Sequence, residues 1–488
     1  MMSTQRSLRR PPGGNARRTV IFALALASIV QAALAQGQAG PVATESARDS
    51  SPRVTAAGAA APEGPRDRDD APGRGLALGT GRGDSAIGLK GFVQAEAART
   101  FGDPDHWSEM RLRGELSAQG RIGERVKWKL SGRVDYDAVY DLYGFYPPAV
   151  RDDQRLNFFA RENYLDFSAG NWDFRLGRQQ IVWGEIVGLF FADVVSARDM
   201  REFLLPDFDI LRIPQWAARA EYSAEQFHAE FLWIPVPSYD KIGKPGAEFF
   251  PLAVPAPPGF ATTYRGDTRP ARTLSNTNYG VRLSTLRAGW DVSAFYYRSM
   301  DTQPTFYRQS VLTPVPTLSF EARHDRLTQL GSTLGKDFGS VVLKAEAVYT
   351  RGRRFNVFRA ADDDGLVPQK TLDWIVGLDF TLPADSRLNL QIFQRVFFEH
   401  DPEIFFRKRE NGYSVYFTHD VTSALEAQVL FISSLDRSDW MLRPKLAWKF
   451  EKNWRLTTGV DLFNGPPLGF FGRFANRDRV YSELRYSF

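Results

Sequence analysis

A chain of 488 residues could hold two or three soluble domains, although large barrels also reach this length. Its basic surplus, 62 Lys+Arg against 57 Asp+Glu, sits at one end: residues 1–35 carry Arg6, Arg9, Arg10, Arg17 and Arg18 with no acid, and without these five the 57 remaining cations equal the 57 acids. That balance excludes a nucleic-acid partner, which needs a basic surface, and the absence of Cys excludes disulfides, thiol-ligated zinc, iron–sulfur clusters and c-type haem attachment.

The five arginines precede an apolar run, Val20 to Val30, that is too short to cross a bilayer and leads to Ala33-Leu34-Ala35. This is the pattern of a secretory signal peptide cleaved after Ala35. Residues 36–85 are rich in Ala, Gly, Pro, Arg and Asp and cannot bury enough apolar surface to order themselves, so a disordered periplasmic leader is expected there.

From Ile87 the period is two. In Val126–Asp137, Trp128, Leu130, Val134 and Tyr136 share one face, and Lys127, Lys129, Arg133, Asp135 and Asp137 share the other. Similar alternation recurs at Trp216–Tyr222, Tyr279–Leu283, Leu343–Tyr349, Trp374–Phe380, Leu388–Ile392, Leu425–Phe431, Leu442–Phe450 and Trp454–Leu462. No apolar run after the signal segment reaches the length of a membrane helix. The fold expected over residues 86–488 is therefore all-β, a closed antiparallel transmembrane β-barrel.

Short turns at Ile122–Glu124, Ala169–Asn171, Ser223–Glu225, Arg287–Gly289, Phe338–Ser340, Pro383–Ser386, Val421–Thr422 and Glu451–Asn453 alternate with connections that are usually longer. Short periplasmic turns and long outer loops give about eighteen strands, or sixteen if Tyr164–Gln180 and Thr305–Phe320 are not wall segments. The ending Val480–Phe488 alternates and finishes on an aromatic residue, which resembles the signal read by the barrel-assembly machinery. Expected surroundings are the outer membrane of a Gram-negative bacterium, with its lipid and lipopolysaccharide.

No catalytic constellation stands out. His106, His228, His324, His400 and His419 lack i,i+4 spacing, so no metal site and no cofactor are expected, and the protein is read as a non-enzyme. Alternation points Lys127, Lys129, Arg133, Arg175, Arg219, Arg282, Lys344, Arg395, Arg443, Lys445, Lys449, Arg455 and Arg485 inward. It opposes them with Asp135, Asp137, Asp173, Glu221, Glu230, Glu346, Asp373, Asp379, Glu426, Asp461 and Glu483. Cross-strand pairing accounts for such a set. An anion path would run along Arg443, Lys445, Lys449 and Arg455.

Gly177–Pro214 breaks the alternation and mixes apolar residues with Arg178, Glu185, Asp193, Arg198, Asp199, Arg201, Glu202, Asp207, Asp209 and Arg212. Leu189-Phe190-Phe191, Val194-Val195, Met200, Phe203 and Leu204-Leu205 recur near a helical period, and Ala192, Ser196 and Ala197 fit a short helix ended by Pro206. So apolar a loop is expected to fold into the barrel as a constriction, to cap its mouth or to touch lipopolysaccharide. Arg178, Gln179, Trp183, Glu185, Asp193, Arg198, Asp199, Arg201 and Glu202 are its constriction or anchor candidates. The Pro235–Ser275 connection, with Phe249, Phe250 and Phe260, reads as an ordered outer flap whose aromatics pack on the insert or meet an apolar ligand.

Gly177-Arg178-Gln179-Gln180, Trp183-Gly184-Glu185, Asp193-Val194-Val195 and Arg198-Asp199 resemble a family of poorly characterised Gram-negative outer-membrane proteins. More distantly, they are similar to the alginate-export type of eighteen-stranded barrel. The first resemblance implies a barrel fold; the second implies an arginine-rich lumen, unlike the balanced charges found here. The function expected is an outer-membrane channel passing a solute. The alternatives are a non-conducting component of an export or lipid-handling assembly, with a periplasmic or inner-membrane partner, and an outer-membrane hydrolase.

Overall fold

The computed structural model describes residues 76–78, 87–186, 191–251, 259–311, 314–357, 359 and 362–488. Residues 1–35, expected to be a signal peptide, and most of the expected leader lie outside the described residues, as do Leu189, Phe190, Pro255, Pro257 and Pro258. Within the stretch expected to be a leader, Leu76–Leu78 pairs antiparallel with Ile87–Leu89.

Eighteen strands form the wall. They are β1 Ile87–Thr100, β2 His106–Ile122, β3 Val126–Asp137, β4 Leu156–Ala169, β5 Trp172–Gln179 and β6 Gln215–Ser223. Next come β7 Phe227–Val236, β8 Asn278–Arg287, β9 Trp290–Met300, β10 Arg326–Asp337, β11 Val341–Asn356 and β12 Leu366–Leu382. The last are β13 Ser386–Phe397, β14 Arg409–Thr422, β15 Leu425–Ser434, β16 Trp440–Glu451, β17 Trp454–Asn464 and β18 Arg479–Ser487. Each pairs antiparallel with its sequence neighbour, and β1 pairs with β18 from Phe92↔Ser487 to Thr100↔Arg479, so the ring closes without an edge. Closure satisfies the backbone polar groups that a bilayer cannot. At the seam Gly91 and Phe488 exchange two backbone hydrogen bonds of 3.0 Å, and a Cβ on Gly91 would stand 2.8 Å from the Phe488 ring.

The pleat sorts the side chains as the period requires. In β3 Leu130 and Val134 face outward, while Ser131, Arg133, Asp135 and Asp137 are buried toward the lumen. Beside the short turns, aromatic pairs such as Trp172–Tyr222 (5.1 Å), Trp290–Phe338 (6.3 Å) and Trp454–Tyr486 (4.9 Å) form the girdle of one membrane interface.

Tyr164–Gln180 belongs to the wall, within β4 and β5. Thr305–Phe320 does not. Thr305–Val311 and Thr317–Arg323 make a hairpin that joins Ala261–Thr268 in a separate three-stranded sheet. Their alternation serves a small core of Leu318 and Phe320 with Phe260, Tyr264 and Phe306, rather than lipid. The strand count holds because this hairpin lies inside one outer connection, between Met300 and Arg326. Two short helices also occupy a connection, α1 Val139–Leu142 and α2 Pro148–Gln154; they bury Val139, Tyr140 and Val150 against Met110 and Ala247.

Candidate functional site: the insert across the lumen

Two residues before β5 ends, the strand passes through a position only glycine can occupy. Gly177 has φ of 130°, and a Cβ there would lie 2.3 Å from the Asn163 carbonyl oxygen. Two buried glutamines fix the departure and the return: Gln179 Nε2 donates to the Ala217 carbonyl (3.1 Å), and Gln215 Nε2 donates to the Val195 carbonyl (3.1 Å). Ile181 and Trp183 then enter a lumenal pocket of Ala217, Leu232, Ile234, Phe295, Tyr297 and Val348, supplied by β6, β7, β9 and β11. Trp183 satisfies its indole N–H on Glu230 at 3.2 Å.

Gly280 makes room for that ring, since its Cβ would stand 2.7 Å from Trp183. Gly280→Val is therefore expected to evict Trp183 and lower stability by about 2 kcal/mol, read as an earlier denaturant midpoint at unchanged slope. An unchanged midpoint would contradict this packing.

Beyond Trp183 one carboxylate organises the backbone. Glu346, on the lumen face of β11, accepts from the N–H groups of Glu185, Ile186 (2.9 Å) and Ala192 (2.7 Å). Glu185 lies 3.5 Å from Arg282 and close to Gly335. Burial, then the neighbouring Asp291, pushes the Glu185 carboxyl above its ordinary range, with Arg282 and Lys344 opposing. The helix expected around Ala192–Ala197 is absent. Those residues are extended or bent, and among the described residues of the insert helical turns occur at Met200–Glu202 and at α3, Phe208–Leu211. Pro206 precedes α3 instead of ending a helix. The reason lies in where the backbone bonds go: the Ala192 N–H is taken by Glu346, and Ala197–Arg198 pairs with Arg212–Ile213.

The second half of the insert is knotted to itself and to the opposite walls. Asp193 accepts from Arg212 Nε at 3.0 Å, and Arg198 donates to the Asp193 carbonyl at 2.5 Å. The Arg198 N–H reaches Asp240 in the next outer connection, where burial pushes the Asp240 carboxyl to about 6. Asp199 takes the fork of Arg201 at 2.7 and 2.6 Å, and Arg201 continues to the Asp153 carbonyl (3.0 Å) and Asn157 (3.1 Å). Burial alone would raise the Asp199 carboxyl, yet Arg201 holds it well below the usual carboxylate range. Glu202 pairs with Arg111 of β2.

Wall arginines bind the insert through its carbonyls. Arg133 donates to Ile210 (3.1 Å), Arg161 to Arg212 (2.6 Å), and Arg443 to Leu204 (3.2 Å) and Leu205 (2.8 Å). The insert thus touches β2–β4, β7–β9, β11 and β16, which lie around the bore.

At the outer end an apolar cluster seals these contacts. Phe203 and Leu205 of the insert bury against Ile432, Met441, Phe463, Phe471, Phe474 and Phe249. Phe203 holds a φ of 55°, rare for a bulky residue and maintained by the rings around it, such as Phe474 at 4.9 Å. Of the flap aromatics, Phe249 packs on the insert, whereas Phe250 meets Tyr264 (5.1 Å) and Phe260 joins the outer three-stranded sheet. Glu248 ties the flap down by accepting from Thr100 (2.8 Å) and Tyr146 (3.0 Å), with His106 at 2.9 Å.

Arg178 stands in register with Asn163 and Trp216 and forms no ion pair among the described residues, so the structure separates it from Glu185. Most lumen charges pair across or along strands: Lys129–Glu162 (2.5 Å), Arg175–Asp166 (2.7 Å), Arg219–Glu221 (3.1 Å) and Lys344–Asp379 (3.2 Å). Lys127, near its turn, is exposed. The anion path is interrupted, because Arg443 is engaged by Asp461 (2.7 Å) and the insert, and Arg455 lies 4.0 Å from Glu483 and Asp207. Lys445 and Lys449 remain partly exposed on the inner face of β16. Glu346, Arg161, Gln215 and Asp240 are anchors that sequence reasoning did not single out; only the inward register of Glu346 offered a signal.

A family model described as "Protein of unknown function (DUF1302)" matches residues 105–377, more than half of the chain. No curated protein matches the sequence. Among solved structures, OccAB1 of Acinetobacter baumannii aligns with a TM-score of 0.51 at 8% identity, over 82% of this chain and 96% of that one. OccK9 (OpdG) of Pseudomonas aeruginosa aligns at 0.49 and 12% identity, over 82% and 97%. Such identities speak for the fold alone. That fold is a closed eighteen-stranded antiparallel barrel with a porin-like wall.

Proposed function

We propose that this chain, which belongs to the DUF1302 family of proteins of unknown function, is a channel that passes a solute across the outer membrane through a lumen narrowed by the Gly177–Pro214 insert. One observation carries the reading. The insert is bonded to facing walls, by Glu346 on β11, by Arg133 and Arg161 on β3 and β4, and by Arg443 on β16. A segment held from several sides sets a fixed aperture. Selectivity then follows from its width and from the polar groups beside it, with no bond chemistry required.

The test is electrical. Purified protein in planar bilayers should give discrete current steps, smaller than those of the same barrel lacking Gly188–Leu205. If folded protein of both kinds carries no current, the channel reading fails. Glu185 provides a pH signature. Its raised pKa means that it loses its charge, as pH falls, at a value above the ordinary 4.5 of a glutamate. Cation preference in reversal-potential measurements should therefore weaken on acidification through that higher pH, and Glu185→Gln should show the weakened preference at every pH. A wild-type profile shared by the variant would remove Glu185 from the aperture.

A second reading has its own support. The apolar cluster around Phe203 occupies space that water fills in an open pore, which favours a non-conducting component of an export or lipid-handling assembly. Capture of a periplasmic or inner-membrane partner by a barrel that stays silent in bilayers would establish it.

A further inference from the structure

The outward face carries a row of side chains that neither lipid tails nor the lumen explains. Register places Trp233 of β7 opposite Tyr279 of β8, Tyr279 opposite Arg298 of β9, Arg298 opposite Thr328 of β10, and Thr328 opposite Arg351 of β11. All five point away from the lumen. Trp233 and Tyr279 are each 45% exposed, while Tyr297 and Ser299, flanking Arg298, are buried inward.

The row runs close to the outer ends of its strands, one step above a second line. Tyr296, Leu330, Tyr349, Leu372, Val396 and Arg409 follow one another in register across β9 to β14. On β12, Lys370 stands two residues beyond Leu372, at the level of Arg351; its backbone carbonyl accepts from Phe398, whose exposed ring meets Tyr349 at 5.8 Å. Cations therefore stand on the lipid side of β9, β11, β12 and β14, among aromatic rings that mark the interface.

Among the described residues Arg298, Arg351 and Arg409 have no carboxylate partner, whereas Lys370 is paired with Glu399. Arg298 donates to the Thr328 hydroxyl at 3.0 Å, a neutral partner, and Arg351 and Arg409 are exposed. Two carboxylates face the strip from neighbouring loops: Glu399, 2.6 Å from Lys370 and largely exposed, and Asp436, 3.9 Å from Arg407. Neither register line contains an acid. Apolar wall lies below, and the outer leaflet of this membrane presents phosphates at the level where tails give way to headgroups. We propose that Arg298, Arg351, Lys370 and Arg409 form a binding strip for the phosphates of outer-leaflet lipopolysaccharide, with Trp233, Tyr279, Tyr349 and Phe398 seating its acyl–sugar boundary. Charge complementarity selects this occupant over a protein, because each cation sits beside surface that must meet acyl chains.

Binding of the full-length protein in detergent to bisphosphorylated lipid A, to dephosphorylated lipid A and to phosphatidylglycerol tests the strip. Wild type should prefer the bisphosphorylated form, and the variant R298Q/R351Q/K370Q/R409Q should bind it on the order of several hundredfold more weakly, with an unchanged hold on the dephosphorylated form. Heat-modifiable migration on gels reports whether the variant has folded; if it has not, R351Q alone should weaken binding about fivefold. Variant binding equal to wild type overturns the proposal. So does wild-type affinity for phosphatidylglycerol matching that for bisphosphorylated lipid A, which would mark a surface for any anionic lipid.

Discussion

Replacing Gly188–Leu205 by a flexible Gly-Ser linker is expected to raise single-channel conductance at least about threefold, since conductance follows the free cross-section at the narrowest point. The wall should survive the change. Its ring is closed by strand pairing alone, from β1 on β2 to β18 on β1. The deletion removes Asp199, Arg201 and Glu202 together with Phe203 and Leu205, so both the ionic knot and the apolar seal are lost. Arg111 loses Glu202 but keeps Glu109 at 3.2 Å and Asp137 at 3.5 Å, which leaves it paired in the widened lumen. A folded deletion variant with wild-type conductance would show that the insert does not narrow the path.

Glu346→Ala should be the most damaging single substitution in the lumen. It strands the N–H groups of Glu185, Ile186 and Ala192 without their acceptor. The expected loss is on the order of 3 kcal/mol, because an unsatisfied buried donor costs its full desolvation. Glu346→Gln retains one acceptor oxygen and should recover part of that loss. The current trace gives a second readout, with Glu346→Ala adding rapid flicker as the insert works loose while Glu346→Gln stays quieter. Equal stability of wild type and Glu346→Ala in denaturant titration would overturn the role assigned to this carboxylate.

The wall was legible because its determinant is local: a period of two, broken by short turns, is written residue by residue in stretches such as Val126–Asp137. The inward course of the insert was legible as a class, since a loop so apolar cannot stay in water. Its internal form was not. Ala192, Ser196 and Ala197 fit a helix until Glu346, more than 140 residues onward, takes the Ala192 N–H. Thr305–Phe320 alternates like wall, and only Ala261–Thr268, a distant segment, decides that its apolar face stays outside the ring. Arg443 looked like a lining charge from its register; that its fork meets the Leu204 and Leu205 carbonyls depends on where another loop travels. In each case the deciding partner lies far away in sequence, beyond the reach of periodicity.

One carboxylate stitches the insert both at Glu185–Ile186 and at Ala192. A single side chain on one stave thus sets the height at which two separated points of the insert sit in the barrel, so the insert is indexed to β11 and moves with that strand.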